Sequence, residues 1–170
     1  MNPGSNRRRC YSFLFHTCNL GDGTRVRRGV NPATGIAFEA IIDDGLSSVE
    51  LAQLQTCFHH NDINGPEPDF EGYARYWANG NVLRLRSLDF AHALGVPSVC
   101  VELTATELSD DVLQLLLQIS EAGNLAFMSS IGDAVRFIDS HMALGIQARY
   151  PDAKPIGSLS ELRQWLEAEA

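Results

Sequence analysis

The densest group of side chains able to do chemistry lies at Cys57, His59, His60 and Asp62. On a helix Cys57 and His60 stand one turn apart and share a face. They could supply two ligands of a metal site, or a thiol beside an imidazole. A structural zinc site takes four ligands, and Cys10, His16 and Cys18 are residues of suitable type elsewhere in the chain. A second group is acidic. Asp43 and Asp44 close an apolar stretch and Asp133 follows another, the position at which α/β enzymes hold Mg²⁺. Either set would serve a metal-dependent hydrolase. The ordinary structural role of the first set is a solvated helix end, with histidines against the last carbonyls. That of the second is a turn at Asp43-Asp44 and a helix cap at Asp133.

A third group lies on a hairpin. Tyr73 to Trp77 and Val82 to Arg86 flank Asn79-Gly80, the pair favoured in a two-residue type I′ turn. That turn would oppose Trp77 to Val82, Tyr76 to Leu83, Arg75 to Arg84, Ala74 to Leu85 and Tyr73 to Arg86. One face then carries Ala74, Tyr76, Leu83 and Leu85 and packs against helices. The other carries Tyr73, Arg75, Trp77, Arg84 and Arg86, three guanidinium groups among two aromatic rings. Such a face suits gripping anions, stacking on planar rings, or docking an acidic partner. Its structural counterpart is a surface ladder in which Glu39 and Glu102 pair with the arginines.

The acidic pattern is similar to that of haloacid-dehalogenase-type phosphotransferases, but departs from it twice. Gly45 stands where the family's signature has a second Asp, and the only lysine, Lys154, comes after Gly132-Asp133 rather than before it. The hairpin carries no aromatic RNP-like motif of the kind found in RNA-recognition sheets. There is no Gly-x-Gly-x-x-Gly after a strand, no phosphate-loop Gly-Lys-Ser/Thr, no Gly-x-Ser-x-Gly and no Cys-x-x-Cys. The reading therefore leans away from an enzyme, and calls for no cofactor or bound metal.

The elements that must position these groups follow from periodicity. Ser98 to Leu103, Ser109 to Gly123 and Leu125 to Met128 read as strand, helix and strand. Tyr11 to Thr17 alternates as a strand. Thr24 to Val30 and Ile36 to Ile42 follow it across turn signals, as a β-meander would. Ser47 and Glu50 form a capping-box pattern before a helix with Leu51, Leu54 and Phe58 on one side. Residues 88–94 and 133–146 read as helices, 150–157 as a loop, and Ser158 to Leu166 as a closing helix.

Length and charge bound the rest. The 170 residues suit one domain. Net charge is −8, yet residues 1–30 hold six arginines against Asp22, giving +5 and leaving −13 on the remainder. An acidic body repels phosphate backbones, which disfavours nucleic acid, while charge segregation steers association with a protein of opposite sign. No apolar run reaches a membrane-spanning length and none follows Arg7-Arg8-Arg9 that would serve a signal peptide, so a cytoplasmic protein is expected. Four scattered cysteines in a chain of this size read as reduced thiols.

The sequence thus predicts an α/β chain of the α+β kind. It would be a two-layer sandwich of a mixed, largely antiparallel sheet with helices on one face. Residues 1–30 form a basic arm or β-hairpin, and residues 31–170 a single domain. The expected function is a non-enzymatic cytoplasmic protein-interaction or regulatory module, such as a toxin-neutralising partner, with a homodimer compatible. The alternatives are the metal-dependent hydrolase above, and an anion or nucleotide binder using Tyr73, Arg75, Trp77, Arg84 and Arg86.

Overall fold

The computed structural model describes residues 7–19, 26–41, 46–65, 72–86, 98–129, 134–138 and 140–169. The strand–helix–strand unit forms as the apolar periodicity predicts: β6 (Ser98–Ala105), α2 (Asp110–Gly123) and β7 (Leu125–Ser129). Its two strands are not neighbours. β1 (Arg9–Thr17) lies between them, antiparallel to both, with Phe13 opposite Val101 on one side and Ser129 on the other. The full order of the seven-stranded sheet is β4-β5-β6-β1-β7-β8-β9, with β4 at Gly72–Tyr76, β5 at Val82–Arg86, β8 at Val135–Phe137 and β9 at Lys154–Pro155. All its pairings are antiparallel except β8 with β9. The class is therefore α+β, a mostly antiparallel mixed sheet with helices packed against it.

Most of the core lies on the sheet face covered by α1 (Ser48–His60), α2 and α4 (Leu159–Glu169). Alternation along β1 puts Tyr11, Phe13 and Phe15 on that side, and β6 adds Val99, Val101 and Leu103. Phe13, Phe15, Phe127 and Trp165 form an aromatic cluster with centroid separations of 5.0 Å (Phe15–Phe127) to 6.0 Å (Phe127–Trp165). α3 (Ser140–Arg149) covers the opposite face at the β7–β8 end, where Ile146 packs with Ala126, Val135 and Phe137.

Several expectations are corrected. Residues 9–17, expected within a basic arm, belong instead to the middle of the sheet. Their alternating aromatics supply core that an arm would leave in water. β2 (Val26–Val30) and β3 (Ala37–Ile41) pair with each other in a separate two-stranded sheet rather than continuing a meander from β1. Residues 133–146 do not form one helix, because Val135-Arg-Phe alternates and pairs with β7 before α3 begins. Lys154–Pro155 within the expected loop forms β9. The helix expected at 88–94 lies outside the described residues.

The capping box before α1 forms as its sequence predicts. Ser47 Oγ accepts from the Glu50 amide (3.2 Å), and the Ser47 amide donates to Glu50 Oε2 (2.8 Å). Glu50 also accepts from the side-chain amides of Asn19 (2.6 Å) and Asn124 (3.1 Å). One carboxylate thereby ties the start of α1 to the end of β1 and to the left-handed C-cap of α2.

The hairpin turn is not type I′. Gly80 N–H donates to the Trp77 carbonyl (2.9 Å) and Trp77 N–H to that of Asn81 (3.0 Å), enclosing a three-residue loop. Only Gly80 within it has positive φ, at 83°, while Asn79 uses its side-chain carbonyl to accept from the Asn81 amide (3.0 Å). A Gly80→Ala variant is expected to lose about 1–2 kcal/mol from forcing an L-residue left-handed. Its urea midpoint should fall at unchanged m-value.

Candidate functional site

The three-residue loop moves the β4–β5 register by one position. Tyr76 stands opposite Val82, Arg75 opposite Leu83, Ala74 opposite Arg84, Tyr73 opposite Leu85 and Gly72 opposite Arg86. Because side chains alternate with period two, a slip of one exchanges the faces of β4 relative to β5. The five residues expected on one binding face are therefore divided. Tyr73, Arg75 and Trp77 share the helix side with Leu83 and Leu85, while Arg84 and Arg86 lie on the other side with Tyr76.

On the helix side the Tyr73 ring packs on Phe58 (centroids 5.3 Å apart), and Trp77 packs against the main core. The Arg75 guanidinium sits 4.5 Å from the Trp77 ring centroid, a cation–π contact within the protein itself. The pair borders a polar recess shared with Asn61, Asp111, Gln114 and Gln118. On the opposite side Arg86 pairs with Glu102 (3.3 Å), and Arg84 stands directly across from that same Glu102. Tyr76, expected inside, is 56% exposed. Glu39 meets Arg28 on β2 (2.8 Å) rather than an arginine of the hairpin. The surface-ladder role accounts for Arg86, and no single Arg/aromatic platform forms.

The Cys57–His60 group stays at the end of α1. His59 and His60 are exposed, with ring centroids 6.0 Å apart, and Asp62 is exposed with φ of 53°. Among the described residues no three His, Cys, Asp or Glu side chains come together as metal ligands. Asp43, Asp44 and Asp133 lie outside the described residues. The Asn61 amide donates to the Cys57 carbonyl (2.8 Å), approaches its sulfur (3.7 Å) and also meets Gln118 Oε1 (3.2 Å). Burial pushes the Cys57 thiol up, partly offset by that contact from Asn61. His16 is buried with its ring edge-on to Tyr150.

The four thiols are all free. Burial, reinforced by the charge of Glu50, pushes the buried Cys18 thiol from its ordinary 9.0 up to about 12. Alkylation at pH 8 followed by mass spectrometry should label exposed Cys10 and Cys100 first, Cys57 more slowly, and Cys18 only after denaturant is added. The linkage has a definite sign. The unfolded chain ionises Cys18 above pH 9.0 while the folded one keeps it protonated to about 12. Its contribution to stability is complete below that window and is lost as pH rises through it.

The surface that sequence reasoning missed is the β2–β3 ribbon. Among the described residues five large hydrophobic side chains are exposed, and three of them are here: Val30 (60%), Ile36 (66%) and Phe38 (41%). The Asn31 amide donates to the Ile36 carbonyl (2.9 Å) and so closes the tip with Val30 and Ile36 beside the turn. Phe38 lies across Gly29, where a Cβ would meet its ring at 2.9 Å, so that ring spreads over bare backbone. The sequence showed two strands here, but not that they stand apart from the main sheet. The short Val-Arg-Arg-Gly-Val strand brings only Val30 to the turn, beside Ile36. Comparison of the chain with protein-family models, with curated proteins and with solved structures finds no match in any of the three, so its role rests on the geometry just described.

Proposed function

We propose that this chain is a non-enzymatic protein-interaction module that docks on an acidic protein partner through the β2–β3 ribbon. The observation that carries this reading is the exposure of Val30, Ile36 and Phe38 to water, on both faces of a ribbon that pairs with no other described strand. A two-stranded ribbon is marginally stable alone, so covering its tip both removes apolar surface from water and fixes the strands. The sign of the partner follows from charge. The first thirty residues carry +5, β2 itself contributes Arg27 and Arg28, and positive charge of this kind steers encounter with a negative surface. Regulation by occlusion, as in toxin neutralisation, is the simplest use of a module of this kind. Four free thiols suit a reducing compartment, and the cytoplasm is the proposed place of action.

The test is purification of the tagged full-length chain from its native host at low salt, beside a Val30→Asp/Ile36→Asp variant of matched thermal stability. The reading expects a stoichiometric acidic protein with the wild type and its loss from the variant. Recovery of the same protein by both chains, or of none by either, overturns it. So does a dimer of the chain alone that the variant abolishes.

A further inference from the structure

We propose that the cleft between α4 and the β8–β9 strand pair is a binding site for a small oxyanion, the carboxylate or phosphate group of a low-molecular-weight ligand. It is independent of the ribbon. Arg136 on β8 and Lys154 on β9 are partners in the parallel register and line the same cleft of about 540 Å³. Like charges placed directly opposite repel, and Lys154 is the only lysine in a chain of net charge −8. Opposing it to an arginine is therefore the reverse of what acidic surroundings favour. Among the described residues neither cation has an ion-pair partner. Arg136 donates to the Val135 carbonyl (3.0 Å) through one guanidinium nitrogen, which leaves donors of its planar fork for an oxyanion.

Among the described residues that line it the cleft has one carboxylate, and it is engaged. Glu161 Oε2 accepts from the Gly157 amide (2.7 Å), while Ser158 Oγ accepts from the Glu161 amide (3.2 Å), so this side chain serves the start of α4. Trp165, which also lines the cleft, is 8% exposed, and its indole N–H has no acceptor among the described residues. A buried donor left without an acceptor is a cost that an acceptor oxygen, brought close by a small shift of the ring, would remove. Two facing cations, an orphan donor and room for a small molecule converge on one group, an anionic oxygen cluster. The volume lies in the range of small-ligand sites.

The probes are inorganic phosphate and succinate, titrated into the full chain at constant ionic strength and followed by tryptophan fluorescence and thermal shift. The site predicts a saturable response to at least one of them. Binding should weaken at least tenfold in Arg136→Gln/Lys154→Gln and severalfold in Trp165→Phe. Lys154 is exposed on a two-residue edge strand, so Lys154→Gln alone keeps the test open should the double variant fold poorly. Preference between the probes identifies phosphate or carboxylate as the recognised group. No saturable response to either probe, or equal binding by the wild type and Lys154→Gln, overturns the proposal.

Discussion

Replacing Phe127 with alanine is expected to destabilise the protein by about 3–5 kcal/mol, the cost of deleting a buried ring and leaving a cavity. Phe127 is fully buried and touches Phe13, Phe15 and Trp165, so its loss removes all three of these aromatic contacts. It also stands on β7 opposite Phe15 of β1 and Arg136 of β8, joining the two halves of the sheet through the inserted N-terminal strand. For a chain of this length the melting temperature should fall by roughly 10 °C. The same truncation at exposed Ile36 should change stability by less than about 0.5 kcal/mol. Thermal and urea unfolding of the two variants side by side checks both values. Equal losses at the two positions would mean that the ribbon is part of the folded core.

The second large effect is on association. Val30 and Ile36 flank the ribbon tip, and an aspartate at either puts a charge where an acidic surface is to approach. If each is an anchor worth at least about 2 kcal/mol, each substitution weakens the complex roughly thirtyfold, and the pair far more. Stability should be untouched, since neither side chain contributes to the core. Binding should also loosen between low and physiological salt, because exposed charges steering the encounter are screened over about 8–10 Å. Titration of the recovered partner against wild type and variants, at two salt concentrations, separates the apolar contribution from the charged one. A salt-independent affinity would leave the apolar tip and remove the acidic character assigned to the partner.

What could be read from sequence depended on how local its cause was. β6, α2 and β7 were legible because each carries a long apolar run bounded by Pro97, Ser109 and Gly123. The α1 start was legible because Ser47 and Glu50 satisfy each other across one turn. The insertion of β1 between β6 and β7 was not, since it rests on pairings between residues about ninety and about 110 positions apart that no local pattern encodes. β8 has three residues, too few for a period to show. The hairpin was legible as a hairpin, but Asn79-Gly80 serves a two-residue loop and a three-residue loop equally well. The choice between them decides whether Trp77 lies among helices or in water. Of the arginines and rings expected to cooperate, Arg75 therefore stays with Tyr73 and Trp77, while Arg84 and Arg86 lie on the other side of the sheet. The ribbon was legible as two strands, while its separation from the main sheet, and hence its exposed tip, was not.

Site-specific photocrosslinking in the native host reads out whether the ribbon tip meets another protein. A benzophenone amino acid at Ile36 is compared with one at Val49, an equally exposed apolar position on α1. One discrete adduct is expected from position 36, containing an acidic protein and lost on Val30→Asp, with none of comparable yield from position 49. Equal adducts from both positions, or none from position 36 while position 49 reacts, would contradict it.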